Sequence, residues 1–105
     1  MRAARIVYLK RARTDVREQF EHRGSYGDRA AKRFADQLAD AVEPLRTFPE
    51  VGTPRPDLAE GLRSLAIKGL RTTLYYVYTV EDGEPVVSVL RVLRQERDVS
   101  GADFE

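Results

Sequence analysis

Five cations lie on or beside three segments that have the composition of β-strands: Arg63, Lys68, Arg71, Arg91 and Arg94. Because neighbouring hairpin strands lie about 4.8 Å apart, side chains from different strands can converge on one face of a sheet. Arginine forms planar, bidentate contacts with phosphate or carboxylate groups. The group therefore predicts a surface that binds a polyanion or an acidic protein, although each arginine could instead pair with a nearby acid or lie over the sheet.

Strand parity separates two of these arginines. In a regular strand Arg91 shares a face with Val89, whereas Arg94 shares a face with Val92. The two guanidinium groups are then expected on opposite faces, unless one of them lies beyond the end of the strand.

Groups typical of catalysis are sparse. His22 is the single histidine, and its place near a predicted helix end favours a charge–dipole contact over catalysis. The chain has no cysteine, which excludes disulfides, thiol nucleophiles and zinc thiolate sites. It shows neither a glycine-rich phosphate loop nor a cluster of oxygen ligands, so we expect no cofactor and no metal. Tyr75, Tyr76 and Tyr78 are first of all sheet and core residues, although a tyrosine beside an arginine could stack on a base.

The charge is unevenly distributed although the net charge is only +1. Residues 1–13 and 61–80 hold eight cations and no acid, whereas residues 14–60 hold more acids than bases. Such a distribution suits a polyanion or an acidic partner. The 105 residues predict one domain over residues 1–105, with an ordered core at about residues 5–98. No signal peptide and no apolar run of roughly 20 residues is visible, so we expect a cytoplasmic protein without a membrane span.

The first half of the chain predicts a strand and two helices. Residues 5–9 are β-branched or aromatic and predict a short strand. A helical period then follows, with Thr14 as a candidate N-cap and Gly24 as a left-handed C-cap. Ser25 is a candidate N-cap for a second helix, which Pro44 should kink or end. The apolar positions of these helices are Leu9, Ala12, Val16, Phe20, Ala30, Ala31, Phe34, Leu38, Ala41, Val42 and Leu45.

The second half predicts an irregular connector at residues 49–57 and then three strands, at residues 62–67, 72–80 and 86–93. Gly69 and Asp82-Gly83 mark the two hairpin turns. The predicted fold class is α+β, in the order β-α-α-β-β-β. The helical hairpin should pack on one face of a curved, mainly antiparallel sheet.

Several motifs in this order resemble the RelE/ParE toxin superfamily over residues 6–98. Phe48-Pro49-Glu50-Val51-Gly52 resembles its Pro-Glu-x-Gly connector. Three runs resemble the family's sheet: Gly61-Leu62-Arg63-Ser64-Leu65, Tyr75-Tyr76-Val77, and Val89-Leu90-Arg91-Val92-Leu93-Arg94, the last of which is followed by Glu96-Arg97-Asp98. The resemblance implies a toxin of a type II toxin–antitoxin system, neutralised by a cognate antitoxin whose flexible C-terminal segment folds onto it. We expect the antitoxin to contact Phe20, Phe34, Leu38, Tyr75 and Arg91.

The superfamily has two branches with different chemistry. ParE-like members bind and inhibit DNA gyrase and are not nucleases, and the strand runs resemble this branch more closely. The target-binding residues would then be Arg63, Arg71, Arg91, Arg94 and Arg97, with no catalytic residue.

RelE-like members cut messenger RNA on the ribosome, and by resemblance Arg71, Lys68 and Arg94 would act on the phosphate. Most members of that branch add a proton-transfer tyrosine or histidine near the C-terminus. Here no tyrosine follows Tyr78 and no histidine follows His22, while Gln95 and Glu96 occupy the expected stretch. A third alternative is a toxin-like fold that only binds its antitoxin. Exposed edge strands would also permit a homodimer.

Overall fold

The computed structural model describes residues 2–95 and 97–105, so the predicted position of Glu96 lies outside the described residues. Two helices pack on one five-stranded sheet. In chain order the elements are β1 (Arg5–Tyr8), α1 (Lys10–Gly24), α2 (Asp28–Val42), a first 3₁₀ helix (Glu43–Arg46), β2 (Thr53–Pro54), β3 (Leu62–Ile67), β4 (Thr72–Glu81), β5 (Glu84–Arg94) and a last 3₁₀ helix (Gly101–Phe104).

The strands are arranged in the order β1-β5-β4-β3-β2. β1 runs parallel to β5, and the other neighbours are antiparallel. The predicted α+β fold with a helical hairpin on a mainly antiparallel sheet is confirmed. β2 was not predicted, because it consists of two residues, one of them a proline, within the connector.

The main core lies between the helices and the sheet. In it, the apolar faces of the two helices pack against β-branched, leucine and tyrosine side chains of the strands. This packing is expected when amphipathic helices cover one face of a sheet. Its buried members are Ala4, Ala12, Phe34, Leu38, Val42, Leu45, Ile67, Leu70, Leu74, Tyr76, Val87, Val89 and Val92. A smaller cluster forms around Leu62, Tyr75 and Leu93, with Val99 and Phe104 of the last segment packed against it.

The helix ends differ from the prediction. α1 begins at Lys10 with Leu9 at its N-cap, so Thr14 lies inside the helix and the predicted cap is wrong. Gly24 is the last helical residue, and the following residue is still right-handed. A positive φ, of 119°, appears instead at Gly27, which is the N-cap of α2.

Ser25 is not the N-cap of α2; its hydroxyl donates to the His22 carbonyl instead. This bond satisfies a carbonyl at the end of α1, a local competitor of N-capping that serine often forms. The prediction for Pro44 is confirmed, because α2 ends at Val42 and Pro44 lies in the first 3₁₀ helix.

Both predicted hairpin turns are present. Asp82 and Gly83 have φ values of 52° and 78°, as a two-residue turn of the favoured hand requires. The β4–β5 pairing is irregular, however, since Tyr75 pairs with Arg91 whereas Tyr76 pairs with Val89. This bulge breaks the alternation that put Arg91 and Val89 on one face, whereas the pairing from Arg91 to Arg94 is regular.

Candidate functional site

An apolar groove of about 450 Å³ runs between α1 and α2 on the side of the helices. Three of the predicted antitoxin-binding residues line it: Phe20, Phe34 and Leu38. Phe34 and Leu38 are buried and form part of the core, whereas Phe20 is 44% exposed. Small side chains at Ala35 and Ala39 leave the groove open. We call this feature the interhelical groove.

Two arginines of α1 form the polar rim of the interhelical groove. Arg13 donates from Nη1 to the Tyr8 carbonyl at 2.6 Å. Arg17 is exposed, and within the described residues its guanidinium makes no hydrogen bond or ion pair. The groove thus combines apolar area with a cation available to an acidic partner.

The other two predicted antitoxin-binding residues lie elsewhere. Tyr75 is 5% exposed and belongs to the smaller cluster, where its ring centroid lies 5.0 Å from that of Phe104. Arg91 is 7% exposed and contacts α1 and the last 3₁₀ helix. The five residues therefore do not form one continuous surface in this structure.

Arg91 is the centre of an internal ion-pair network. Its Nε donates to Asp15 Oδ2 at 2.7 Å and its Nη2 to Asp15 Oδ1 at 2.9 Å. Its Nη1 donates to the Asp103 carbonyl at 3.2 Å and lies 3.5 Å from Asp103 Oδ1. The hydrogen bonds to Asp15 are the main cause that raises the pKa of Arg91 above its ordinary value.

Asp103 ties the last 3₁₀ helix to this network. Its carboxylate accepts hydrogen bonds from the Ser100 backbone N–H and from Arg97, and Arg11 donates to its carbonyl. The Ser100 hydrogen bond and then the charges of Arg97, Arg91 and Arg11 hold the pKa of Asp103 below its ordinary value. We call these residues, together with Asp15, the Asp103 network.

α1 also completes the edge of the sheet beyond the end of β1. The Leu9 N–H donates to the Val89 carbonyl at 2.9 Å. Farther along β5, the Val92 N–H donates to Asp15 Oδ2 at 3.0 Å, and Gln19 Nε2 donates to the Val92 carbonyl at 2.8 Å. Helix side chains thus take the place of a strand, so the backbone groups of Val92 are not left unsatisfied.

Arg63, a predicted target-binding residue, holds the connector instead. Its Nη1 donates to the carbonyls of Glu50 at 2.8 Å and Gly52 at 2.9 Å. Tyr76 secures the same segment, since its hydroxyl donates to the Pro49 carbonyl at 2.8 Å and accepts from the Gly52 N–H at 2.9 Å. A Cβ at Gly52 would lie 2.7 Å from that hydroxyl, which explains the glycine of the Pro-Glu-x-Gly motif.

A cavity of about 770 Å³ lies between the C-terminal half of α1, the β3–β4 turn and the end of β5. Arg71 and Arg94, both exposed, line it together with His22, which sequence reasoning had set aside. Lys68 is exposed on the same turn but outside the cavity wall. We call this cavity the basic cleft. The nuclease alternative built on Arg71, Lys68 and Arg94 stays a prediction.

Sequence reasoning missed Asp15, Asp103 and Gln19. A signal for two of them exists, because Asp15 and Gln19 share the inward helical face with Ala12. Polar residues on an inward face indicate buried partners. Asp103 has a local signal too, since Ser100 and Asp103 have the spacing of a capping box, but its contacts with Arg91 and Arg11 join segments that are far apart in the sequence.

Two further structural findings concern the described residues alone. In residues 2–95 and 97–105, histidine, aspartate and glutamate do not form a group that could hold a metal ion. Nor does any helix of this part combine the length and the apolar character that crossing a membrane requires.

One family model matches most of the chain. The family model described as "ParE toxin of type II toxin-antitoxin system, parDE" matches residues 6–99. A search of curated proteins found no match.

The fold is similar to that of several solved structures. The chromosomal ParDE toxin–antitoxin system from P. aeruginosa aligns with a TM-score of 0.72 and 20% identity, covering 90% of this chain and 98% of that chain. The YoeB/ParE toxin from Agrobacterium tumefaciens aligns with a TM-score of 0.59 and 16% identity, covering 86% of this chain and 97% of that chain. A double mutant of E. coli toxin RelE in the free state aligns with a TM-score of 0.53 and 19% identity, covering 90% of this chain and 85% of that chain.

Proposed function

The chain belongs to the ParE toxin family of type II toxin–antitoxin systems, and from this premise we propose that it inhibits DNA gyrase by binding and is neutralised by a cognate antitoxin. The proposal assigns the antitoxin to the interhelical groove and the target to exposed cations at the end of the sheet. It involves no catalytic residue.

The observation that carries the antitoxin assignment is the apolar interhelical groove with its cationic rim. An amphipathic helix presents an apolar face to such a groove, and Phe20 supplies an exposed aromatic anchor. Arg17 can attract acidic side chains of the incoming segment, which favours association more than final affinity. A flexible antitoxin tail that folds on the groove would bury Phe20.

Accessibility divides the predicted target-binding residues. Arg71 and Arg94 are exposed, and the Arg97 side chain is 47% exposed although it contacts Asp103. Arg63 and Arg91 serve internal contacts. We therefore assign target contact to Arg71, Arg94 and Arg97. The sequence after His22 and Tyr78 lacks the proton-transfer residue of the nuclease branch, which supports a binding inhibitor over a nuclease.

The test is supercoiling of relaxed plasmid by purified gyrase. Added protein should lower the rate of supercoiling, and premixing it with the antitoxin encoded by the adjacent open reading frame should restore that rate. Unaffected supercoiling at micromolar protein would reject gyrase as the target. Unharmed growth on expression without the antitoxin would reject toxicity altogether.

A further inference from the structure

Positive charge is concentrated where α1 meets α2. The basic cleft adjoins a second cavity of about 360 Å³, and the two share Arg23, Tyr26, Gly69 and Leu70 in their walls. Together the walls carry five arginines and one glutamate, although the net charge of the whole chain is +1. The charged residues are Arg23, Arg29, Arg33, Arg71, Arg94 and Glu18.

Three of these arginines are not engaged in the fold. Within the described residues, the guanidinium groups of Arg29, Arg33 and Arg71 make no hydrogen bond or ion pair, and all three side chains are exposed. Repulsion among cations without partners is a cost that binding of an anion would remove.

The backbone at Arg71 supports a role in binding. Its φ is 51°, in the left-handed region that a residue with a Cβ enters only at a cost of about 1–2 kcal/mol. Strain of this kind clusters at functional sites, although turn geometry alone accounts for the similar φ of Asp82. Gly69 in the same turn has φ 81°, and a Cβ there would lie 3.6 Å from Arg33 Nη2. The arginine of α2 therefore reaches the turn that carries Arg71.

An aromatic ring stands between the two cavities. Tyr26 is 77% exposed, and its ring meets His22 edge-on, with centroids 5.6 Å apart and planes at 82°. An exposed tyrosine can accept a stacked base, and cations around it can hold the flanking phosphates. An exposed tyrosine surrounded by arginines is thus suited to binding an unpaired nucleotide.

We propose that the basic cleft and its neighbouring cavity form one surface that binds single-stranded nucleic acid without cleaving it, with Tyr26 stacking on a base and Arg29, Arg33 and Arg71 contacting phosphates. An acidic peptide suits the surface less well, because the aliphatic side chains in its walls are Leu70, which is buried, and Ala30. Protein partners need apolar anchors, which the interhelical groove offers instead.

This inference deepens the proposed function and rests on it only for the choice of DNA as the natural ligand. An inhibitor of gyrase with such a surface would engage an unpaired stretch of the substrate together with the enzyme. Binding to an oligonucleotide can be measured without gyrase or antitoxin. Failure of one proposal is therefore distinguishable from failure of the other.

The experiment is fluorescence anisotropy of a labelled oligothymidylate titrated with the full chain at several salt concentrations. Binding should be saturable with a Kd of about 1–100 μM near 50 mM salt. Tyr26→Ala should weaken it about fivefold or more, whereas Tyr26→Phe should retain it. Arg29→Ala/Arg33→Ala should reduce the slope of log Kd against log salt by about 1.4, since each phosphate contact contributes about 0.7.

Two variants keep the result interpretable. Arg71→Gly suits the positive φ of that residue, so its weaker binding cannot be attributed to a strained or unfolded turn. Arg2→Ala/Arg5→Ala removes the same charge as the α2 double variant from a different end of the sheet. An equal loss in this control, or no saturable binding of the wild-type chain, would overturn the proposal.

Two further arms separate the ligand classes. Poly-glutamate should displace the oligonucleotide far less well than unlabelled oligothymidylate at equal charge; equal displacement would show a general polyanion surface and reject the assignment. An RNA oligonucleotide incubated with the protein should be recovered intact on a denaturing gel. Fragments that disappear in Arg71→Gly would reject binding without cleavage.

Discussion

Arg91 and Asp15, which are 76 residues apart in the sequence, form a two-bond ion pair with both side chains at most 10% exposed. Asp15 also accepts the Val92 N–H, so one carboxylate joins α1 to β5 in three hydrogen bonds. Asp15→Ala should lower the free energy of unfolding by about 3 kcal/mol, because it removes the carboxylate that accepts two hydrogen bonds from the buried guanidinium of Arg91. Urea unfolding measures this loss.

The control for that prediction is an exposed pair. Asp36→Ala breaks the ion pair between Asp36 and Lys32, whose side chains are 61% and 76% exposed, respectively. It should lower the free energy of unfolding by less than about 0.5 kcal/mol. The double variant Asp15→Leu/Arg91→Met should regain part of the lost stability, since neither charge is then buried alone. Equal effects of Asp15→Ala and Asp36→Ala would contradict a special role for the buried pair.

Stability should fall in acid through Asp103. Its folded pKa lies below the ordinary value of 3.8, so its contribution is complete above about pH 4 and is lost as the pH falls through the folded value. Urea midpoints at about pH 6 and pH 3 should therefore differ less in Asp103→Asn than in the wild-type chain. Asp40→Asn removes an exposed carboxylate of α2 and is the control; an identical change in both variants would count against the Asp103 network.

Gly52 and Gly24 should respond to alanine in opposite directions. At Gly52 a Cβ would lie 2.7 Å from Tyr76 Oη and 2.8 Å from Cε1, so Gly52→Ala should destabilise by about 2 kcal/mol. At Gly24, inside α1, the nearest atom would be Ala31 Cβ at 3.8 Å, and Gly24→Ala should stabilise by up to about 1 kcal/mol. Thermal unfolding of both variants checks the sign of each effect.

The interhelical groove can be tested through Phe20. Phe20→Ala should weaken antitoxin binding by about 1–2 kcal/mol, roughly 5- to 30-fold, because it removes the exposed aromatic anchor. Phe48→Ala is matched in chemistry, but Phe48 lies outside the groove and should leave affinity unchanged. Calorimetric titration with the antitoxin measures both. Unaltered affinity in Phe20→Ala would place the antitoxin on another surface.

The sequence was informative where periodicity and turn chemistry act locally. β4, the end of α2 near Pro44 and the turn at Asp82-Gly83 follow from residue types and short spacings. Contacts between distant segments could not be predicted in this way. Arg91 carries the same sequence signal as Arg94, yet Asp15 and Asp103 draw it into the interior while Arg94 lines the basic cleft.

The parallel pairing of β1 with β5 has a consequence during synthesis. Residues 5–8 are made long before their partners, residues 86–89. Asp15 and Gln19 likewise cannot form their hydrogen bonds with the Val92 backbone until Val92 has been made. A ribosome that stops before codon 86 therefore releases a chain in which β1 and α1 cannot pair with β5. Contacts this distant also favour slow folding.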